Sequence, residues 1–266
     1  MITHIFFDKL KEKQETLPLK QECLQSMTSP QDGMWESFRE ASRHWIIRDK
    51  SANIGYACVD DEKQLIQFFL KQDYLSLGES IFTHFLQHTA VIKGIVGTNN
   101  PTYLSLALAT SKKIKLHSYL FRDHLPVSLE EKAGTLLQCQ AEELEKIVQF
   151  YIESIGASRD WLLDYVGERI AKKEIYSLEH HAGIIGTCEV RNSPSSAQVV
   201  DIGMAVAPSY RRQGYGSYLL HQAKLIALTS GKTPICSCER ENTGSFKAIN
   251  HAGFRSLYQL LEVDFA

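Results

Sequence analysis

The run Arg211-Arg212-Gln213-Gly214-Tyr215-Gly216-Ser217 sets two guanidinium groups beside two glycines. Guanidinium forks match the geometry of phosphate oxygens. Glycine removes the side chain that would keep an anion away from backbone N–H groups. A β-type run, Gln198–Val206, enters the segment, and a helical run, Tyr218–Leu228, leaves it. A helix start carries unpaired N–H groups and the positive end of the helix dipole, so this junction is expected to hold phosphate. The chain has no Gly-x-x-x-x-Gly-Lys-Ser/Thr loop and no Gly-x-Gly-x-x-Gly after a first strand. A nucleotide triphosphatase loop and a dinucleotide fold are therefore not supported.

The elements that must position this junction can be read from periodicity. Gly134–Gln140 is a short β-type run. Glu142–Ile155, with Leu144, Ile147, Val148, Tyr151, Ile152 and Ile155, and Ser158–Lys172, with Trp161, Leu162, Tyr165, Val166 and Ile170, are predicted amphipathic helices. Glu174–Leu178 and Gly183–Arg191 form a predicted hairpin, with a turn at Asn192-Ser193-Pro194. After the basic loop and its helix come a strand at Pro234–Arg240, a helix at Thr243–Ala252 and a strand at Ser256–Phe265.

This order, β-α-α-β-β-β-α-β-α-β, with Val206-x-Pro208 followed by Arg211-x-x-Gly214-x-Gly216, resembles the GNAT superfamily, the acyl-CoA-dependent N-acetyltransferases. The later stretch Asn242-x-x-Ser245…Gly253-Phe254 is similar to that family's second cofactor segment. The resemblance covers about half the chain, from near Gly134 to the end. It implies acetyl-CoA as acyl donor. The backbone of Met204, Ala205 and Val206 would pair with the pantetheine amides. The N–H groups of Arg211, Arg212, Gln213, Gly214, Tyr215, Gly216 and Ser217 would hold the pyrophosphate. Asn242 and Ser245 would border the pantetheine or adenosine side. The family splays the strand before the loop from its neighbour, often with a bulge, and places the thioester in that opening. Free strand N–H groups there could stabilise a tetrahedral oxyanion.

The first half repeats the second. With Leu70 on Val206, Tyr74 falls on Tyr210 and Gly78 on Gly214. Strands are predicted at His44–Arg48, Asn53–Val59 and Gln64–Leu70, followed by a helix (Leu77–Gln87), a strand (Val91–Val96), a helix (Pro101–Lys112) and a strand (Lys115–Phe121). Asn99 or Asn100 takes the place of Asn242. The expected fold is α/β (α+β): two GNAT-like domains, 1–126 and 127–266, each a mixed, mostly antiparallel sheet flanked by helices. Leu75, Ser76, Leu77 and Ser80 replace Arg211, Arg212, Gln213 and Gly216, so the first copy is expected not to bind CoA.

Two domains fit 266 residues, and 44% hydrophobic residues suffice for packed cores. A net charge of -2 gives no argument for nucleic acid. Apolar runs are of strand length, and the N-terminus lacks a signal-peptide pattern, so no membrane association and a cytoplasmic location are expected. The six cysteines form no Cys-x-x-Cys; Cys236 and Cys238 share a strand face and read as buried small residues, with a cleft-lining role as the other reading. His180 and His181 adjoin the predicted hairpin turn, and neighbours on a strand point apart, which argues against a metal pair. No metal site is expected.

Asp201, on the strand before the loop, is the first candidate for the base that deprotonates an amine; its other reading is a polar residue on a half-exposed strand. Glu189 is second. The resemblance implies a general-acid tyrosine seven residues after Asn242, and Ile249 stands there; Tyr258 or His251 could substitute. Three readings follow: acetyl transfer to a primary amine of a small molecule or peptide, a non-catalytic acyl-CoA-binding or regulatory protein, and a structural interaction protein. Acceptor identity and oligomeric state are not written in these residues.

Overall fold

The computed structural model describes residues 4–181 and 183–265. Its chain divides into two compact units, Met1–Tyr119 with Tyr258–Ala266, and Leu120–Leu257.

The first unit runs β1 (Ile5–Lys9), α1 (Leu17–Ser26), α2 (Gly33–Ala41), β2 (Arg43–Asp49), β3 (Ala52–Val59), β4 (Gln64–Leu70), α3 (Gly78–Thr89), β5 (Lys93–Gly97), α4 (Pro101–Thr110) and most of β6 (Lys113–Asp123). Strands β1 to β4 form an antiparallel meander. β5 joins parallel to β4, and only at Gln64↔Lys93 and Leu65↔Gly94. The core lies under α3 and α4, where Phe68, Phe82, Phe85 and Tyr103 meet edge-on or tilted at centroid distances of 4.8 to 6.4 Å. Burying each such ring contributes roughly 1.5–3 kcal/mol.

The second unit runs β7 (Thr135–Gln138), α5 (Leu144–Ile155), α6 (Arg159–Ala171), β8 (Ile175–His180), β9 (Gly183–Asn192), β10 (Val199–Val206), α7 (Tyr215–Thr229), β11 (Thr233–Glu239), α8 (Thr243–His251) and the start of β12 (Phe254–Asp264). β7 to β10 are antiparallel, and β11 joins parallel to β10. Of the apolar stripes on α5 and α6, Ile147, Val148, Tyr151, Leu162, Val166 and Ile170 are buried together against Ala205 of β10. Ile155 and Trp161, from the same stripes, stay exposed.

Both units therefore follow one element order, and each is a mixed, mostly antiparallel sheet with flanking helices. The element order of the first unit begins at β1, α1 and α2, upstream of the strands expected from sequence. A close backbone approach marks the repeat independently. Gly55 stands opposite Leu70 and Gly186 opposite Val206. A Cβ at Gly55 would lie 2.2 Å from the Phe69 carbonyl oxygen, and one at Gly186 would lie 2.6 Å from the Ala205 carbonyl oxygen. The end of β12 completes the first unit: Leu260 to Asp264 pair antiparallel with Gly97 to Lys93 of β5.

All six cysteines are free and buried, Cys236 and Cys238 among them. The histidine expectation needs correction. His181 lies in the turn after β8, outside the strand alternation, and its ring meets that of His180 at 4.9 Å. Among the described residues no group of three or more His, Cys, Asp or Glu side chains is placed to hold a metal ion, and no helix is long and apolar enough to cross a membrane.

Candidate functional site

β10 and β11 pair only at Val199↔Thr233, Val200↔Pro234 and Asp201↔Ile235, then diverge. β10 and β9 pair through Val206↔Gly186 without a register shift, so divergence alone opens the edge and no bulge is involved. In an antiparallel ladder both polar backbone groups of a residue turn to the same side. The Val199 carbonyl accepts from Ser193, and Ala207 N–H donates to Ile185, so the odd-numbered residues face β9. Met204 and Val206 consequently turn their N–H and C=O groups to the opened edge. Ala205, expected to join them, faces β9 and packs its side chain beneath α5 and α6.

At the end of β10 a 3₁₀ turn, Pro208–Tyr210, leads into the basic loop. Arg212 has φ 61° and Gly214 φ 87°, both left-handed. That pair of residues reverses the chain and lets α7 start at Tyr215, three residues before the expected start. The helix ladder begins with Tyr218 N–H to the Gly214 carbonyl at 3.1 Å, so the preceding N–H groups point outward from the first turn. Gly216 lies against Met204 and Ala248, where a Cβ would find atoms at 3.3 and 3.4 Å.

Arg211 does something the spacing did not announce. Its guanidinium turns back, with Nε donating to the Val206 carbonyl at 3.2 Å and Nη2 to the Ser154 carbonyl at the end of α5. It thus ties the loop to its own strand and to α5. Gln213 likewise donates to the Ser209 carbonyl at 2.9 Å. Asn242 is the N-cap of α8, with its side-chain oxygen accepting from Ser245 N–H at 3.0 Å. In the first unit Asn100, not Asn99, holds the same position, accepting from Tyr103 N–H at 3.3 Å.

Asp201 is 2% exposed and sits at the apex of the opening, opposite Arg191. On the same sheet face, Glu189 stands opposite Gly203. Its carboxylate accepts from Tyr151 Oη at 2.6 Å, Tyr165 Oη at 2.5 Å and Arg191 Nη1 at 2.7 Å. Burial works against the Arg191 charge, but Glu189, Tyr165 and Asp201 outweigh it and hold the guanidinium well above its ordinary pKa. Burial, reinforced by Glu189, pushes both tyrosines up, so they keep their protons and act as donors. Trp161 stacks on Tyr165 at 4.7 Å with an interplanar angle of 14°. Sequence spacing named Glu189 and Asp201; Tyr151, Tyr165 and Arg191 appeared there only as members of apolar stripes or a strand. Tyr258, by contrast, belongs to the first unit, where its hydroxyl lies 3.4 Å from the Thr28 carbonyl. Ile249, at the place of the expected tyrosine, is buried in the core.

A strand with one edge opened, ending in outward N–H groups at a helix start, offers the shape and the donors that an extended ligand with an anionic end would need. An acyl-CoA has that shape, and the glycines leave the close approach its pyrophosphate needs. Two models of an acetyltransferase (GNAT) domain match the chain, at residues 12–124 and 171–258. The chain belongs to the GNAT acetyltransferases, which transfer acetyl groups from acetyl-CoA, and carries two such domains in tandem. An acetyltransferase of the GNAT family from Colwellia psychrerythraea is 28% identical, with 98% of this chain and 100% of that one covered at a TM-score of 0.93. A GCN5-related N-acetyltransferase from Sphaerobacter thermophilus shares the fold at 14% identity, covering 99% and 96%, with a TM-score of 0.68. A tandem GNAT protein from the clavulanic acid biosynthesis pathway does so at 14% identity, covering 98% and 99%, with a TM-score of 0.64. No curated protein matches the chain.

Proposed function

We propose that the second copy transfers an acetyl group from acetyl-CoA to a primary amine by direct attack within a ternary complex. The observation that carries this reading is the edge of β10 opening at Asp201 and running into the outward N–H groups of the loop. Met204 and Val206 would hold the pantetheine arm as an added strand. The N–H groups from Arg212 to Ser217 would hold the pyrophosphate, with Arg211 keeping the loop in place. Asn242 and Ser245 would flank the arm.

Asp201 is the proposed base. It takes one proton from the incoming ammonium, and the freed nitrogen attacks the thioester carbonyl carbon. A backbone N–H of the opened edge would meet the oxyanion. Collapse breaks the C–S bond, and the second nitrogen proton reaches the thiolate sulfur through solvent, since Ile249 has none to give. Glu189 already accepts three hydrogen bonds, so its proposed role is to position Tyr151, Tyr165 and Arg191 rather than to take the proton. Holding two substrates in line supplies much of the rate.

A thermal-shift titration with acetyl-CoA on wild type and Gly214→Arg tests the reading. At about one hundred times the dissociation constant, binding adds roughly 2.7 kcal/mol to wild-type stability. The variant, with a side chain on the left-handed residue of the loop, should show none of it. No shift in wild type overturns the assignment. Binding without amine-dependent thiol release would instead favour a non-catalytic acyl-CoA binder, the reading to which the buried Ile249 lends weight.

A further inference from the structure

We propose that Lys132, which lies outside both GNAT sequence motifs, is a ligand of the cofactor pyrophosphate, carried there by a strap along α7. The proposal rests on the reading that the loop binds acetyl-CoA, and it adds a residue from the stretch of chain between β6 and β7.

The strap runs antiparallel to α7 and is fastened at successive turns. Its first end is fixed at Gly253, whose carbonyl accepts from His124 and Leu125 N–H at 3.3 and 3.0 Å. Gly253 has φ 93°, and a Cβ there would lie 2.4 Å from the Leu125 carbonyl oxygen, so only glycine permits this approach. Lys224 then donates to the Leu125 carbonyl at 3.0 Å and pairs with Asp123 at 2.5 Å. His221 Nε2 donates to the Val127 carbonyl at 3.1 Å. Tyr218 donates to Glu131 Oε2 at 2.8 Å. Positions 218, 221 and 224 lie on one helix face. Each fastening brings the strap closer to the helix start, and the next residue after Glu131 is Lys132.

There the ammonium of Lys132 lies 3.6 Å from where Gly214 would carry a Cβ. The residue is half-buried, and among the described residues it makes no hydrogen bond or ion pair. The neighbouring carboxylate, Glu131, is engaged by Tyr218. A cation is unfavourable beside the positive end of a helix, and Arg212 is close in sequence. Two positive features therefore meet, the helix start and Lys132, with Arg212 two residues before Gly214 in the chain. A phosphate resolves that arrangement; its oxygens would take the outward N–H groups and the ammonium together.

Titration of acetyl-CoA and 3′-dephospho-acetyl-CoA into the full chain tests this, using wild type, Lys132→Met, Lys132→Arg and Gly214→Arg. Lys132→Met should weaken both ligands about tenfold, the loss of one charge-assisted hydrogen bond. Lys132→Arg should recover most of it, and the melting temperature without ligand should match wild type. Lys132→Met within about twofold of wild type, while Gly214→Arg loses binding, overturns the proposal and leaves the loop assignment standing. Weakening confined to acetyl-CoA also overturns it, because the 3′-phosphate would then be the partner. A lowered melting temperature without ligand overturns it in favour of a structural lysine. Wild type that binds neither ligand brings down both the proposal and the reading on which it rests.

Discussion

Leu65 and Asp201 occupy the same place in two copies of one design. Each is the last residue of its strand to pair with the parallel neighbour, Leu65 with Gly94 and Asp201 with Ile235. Both copies thus keep the divergence that opens a strand edge. They differ in what fills it. In the first copy Tyr103, three residues after the helix-capping Asn100, donates to the Leu65 carbonyl at 2.9 Å. Its hydroxyl also lies 2.6 Å from where Gly94 would carry a Cβ. In the second copy Ser245 holds the matching place after Asn242, and its short side chain reaches no such partner. The loops diverge as well. Gly214 is left-handed at φ 87°, whereas Gly78 has φ -54° and continues a 3₁₀ turn straight into α3. The opening is a property of the fold; the site depends on leaving it unplugged and on turning the loop outward.

The comparison is broken or sharpened most by the apex residue. Asp201→Asn should lower kcat/KM for the amine by about 10²–10⁴-fold. Steady-state rates within a fewfold of wild type would remove the one chemical distinction drawn between Asp201 and Leu65. Next comes Ser245→Tyr, which copies the plug of the first unit into the second. Calorimetric titration should find acetyl-CoA weakened on the order of a hundredfold, about 2.7 kcal/mol, with the fold intact. Unchanged affinity would mean that Tyr103 is not what closes the first copy. The smallest effect concerns what the copies share. Gly55→Ala and Gly186→Ala each force a methyl group onto a backbone oxygen and should each cost about 1–3 kcal/mol by denaturant unfolding. A neutral result at either glycine would show that the two strand pairs are not equivalent.

The sequence disclosed the parts whose chemistry is local. Glycines between arginines at a strand-to-helix junction, the apolar stripes of α5 and α6, and Asn242 as a capping residue are all written in spacing. β1, α1 and α2 escaped because burial there does not follow polarity: Lys20, Glu36 and Arg39 are buried, while Phe6, Leu17, Met34 and Phe38 are exposed. The direction of Arg211 was beyond spacing too, since a guanidinium serves a carbonyl as readily as a phosphate. Tyr103 at the apex depends on contact between elements far apart in the chain. The strap between β6 and β7 has no periodicity; α7 holds it at the carbonyls of Leu125 and Val127, which any sequence could offer, and at the side chains of Asp123 and Glu131, whose spacing follows no helix or strand repeat.

One feature of the first unit bears on how the protein is made. Its sheet is completed by residues that follow α8 of the second unit, with Gln259 N–H donating to Thr98 Oγ1 at 2.9 Å across a separation of 161 residues. Synthesis at about 5–20 residues per second leaves roughly 8–30 s between the two. For that interval β5 is a nascent strand with a bare edge, the kind of surface that invites pairing with other chains. The first copy emerges early from the ribosome, yet its sheet closes only after β7 to β11 of the second copy have been made.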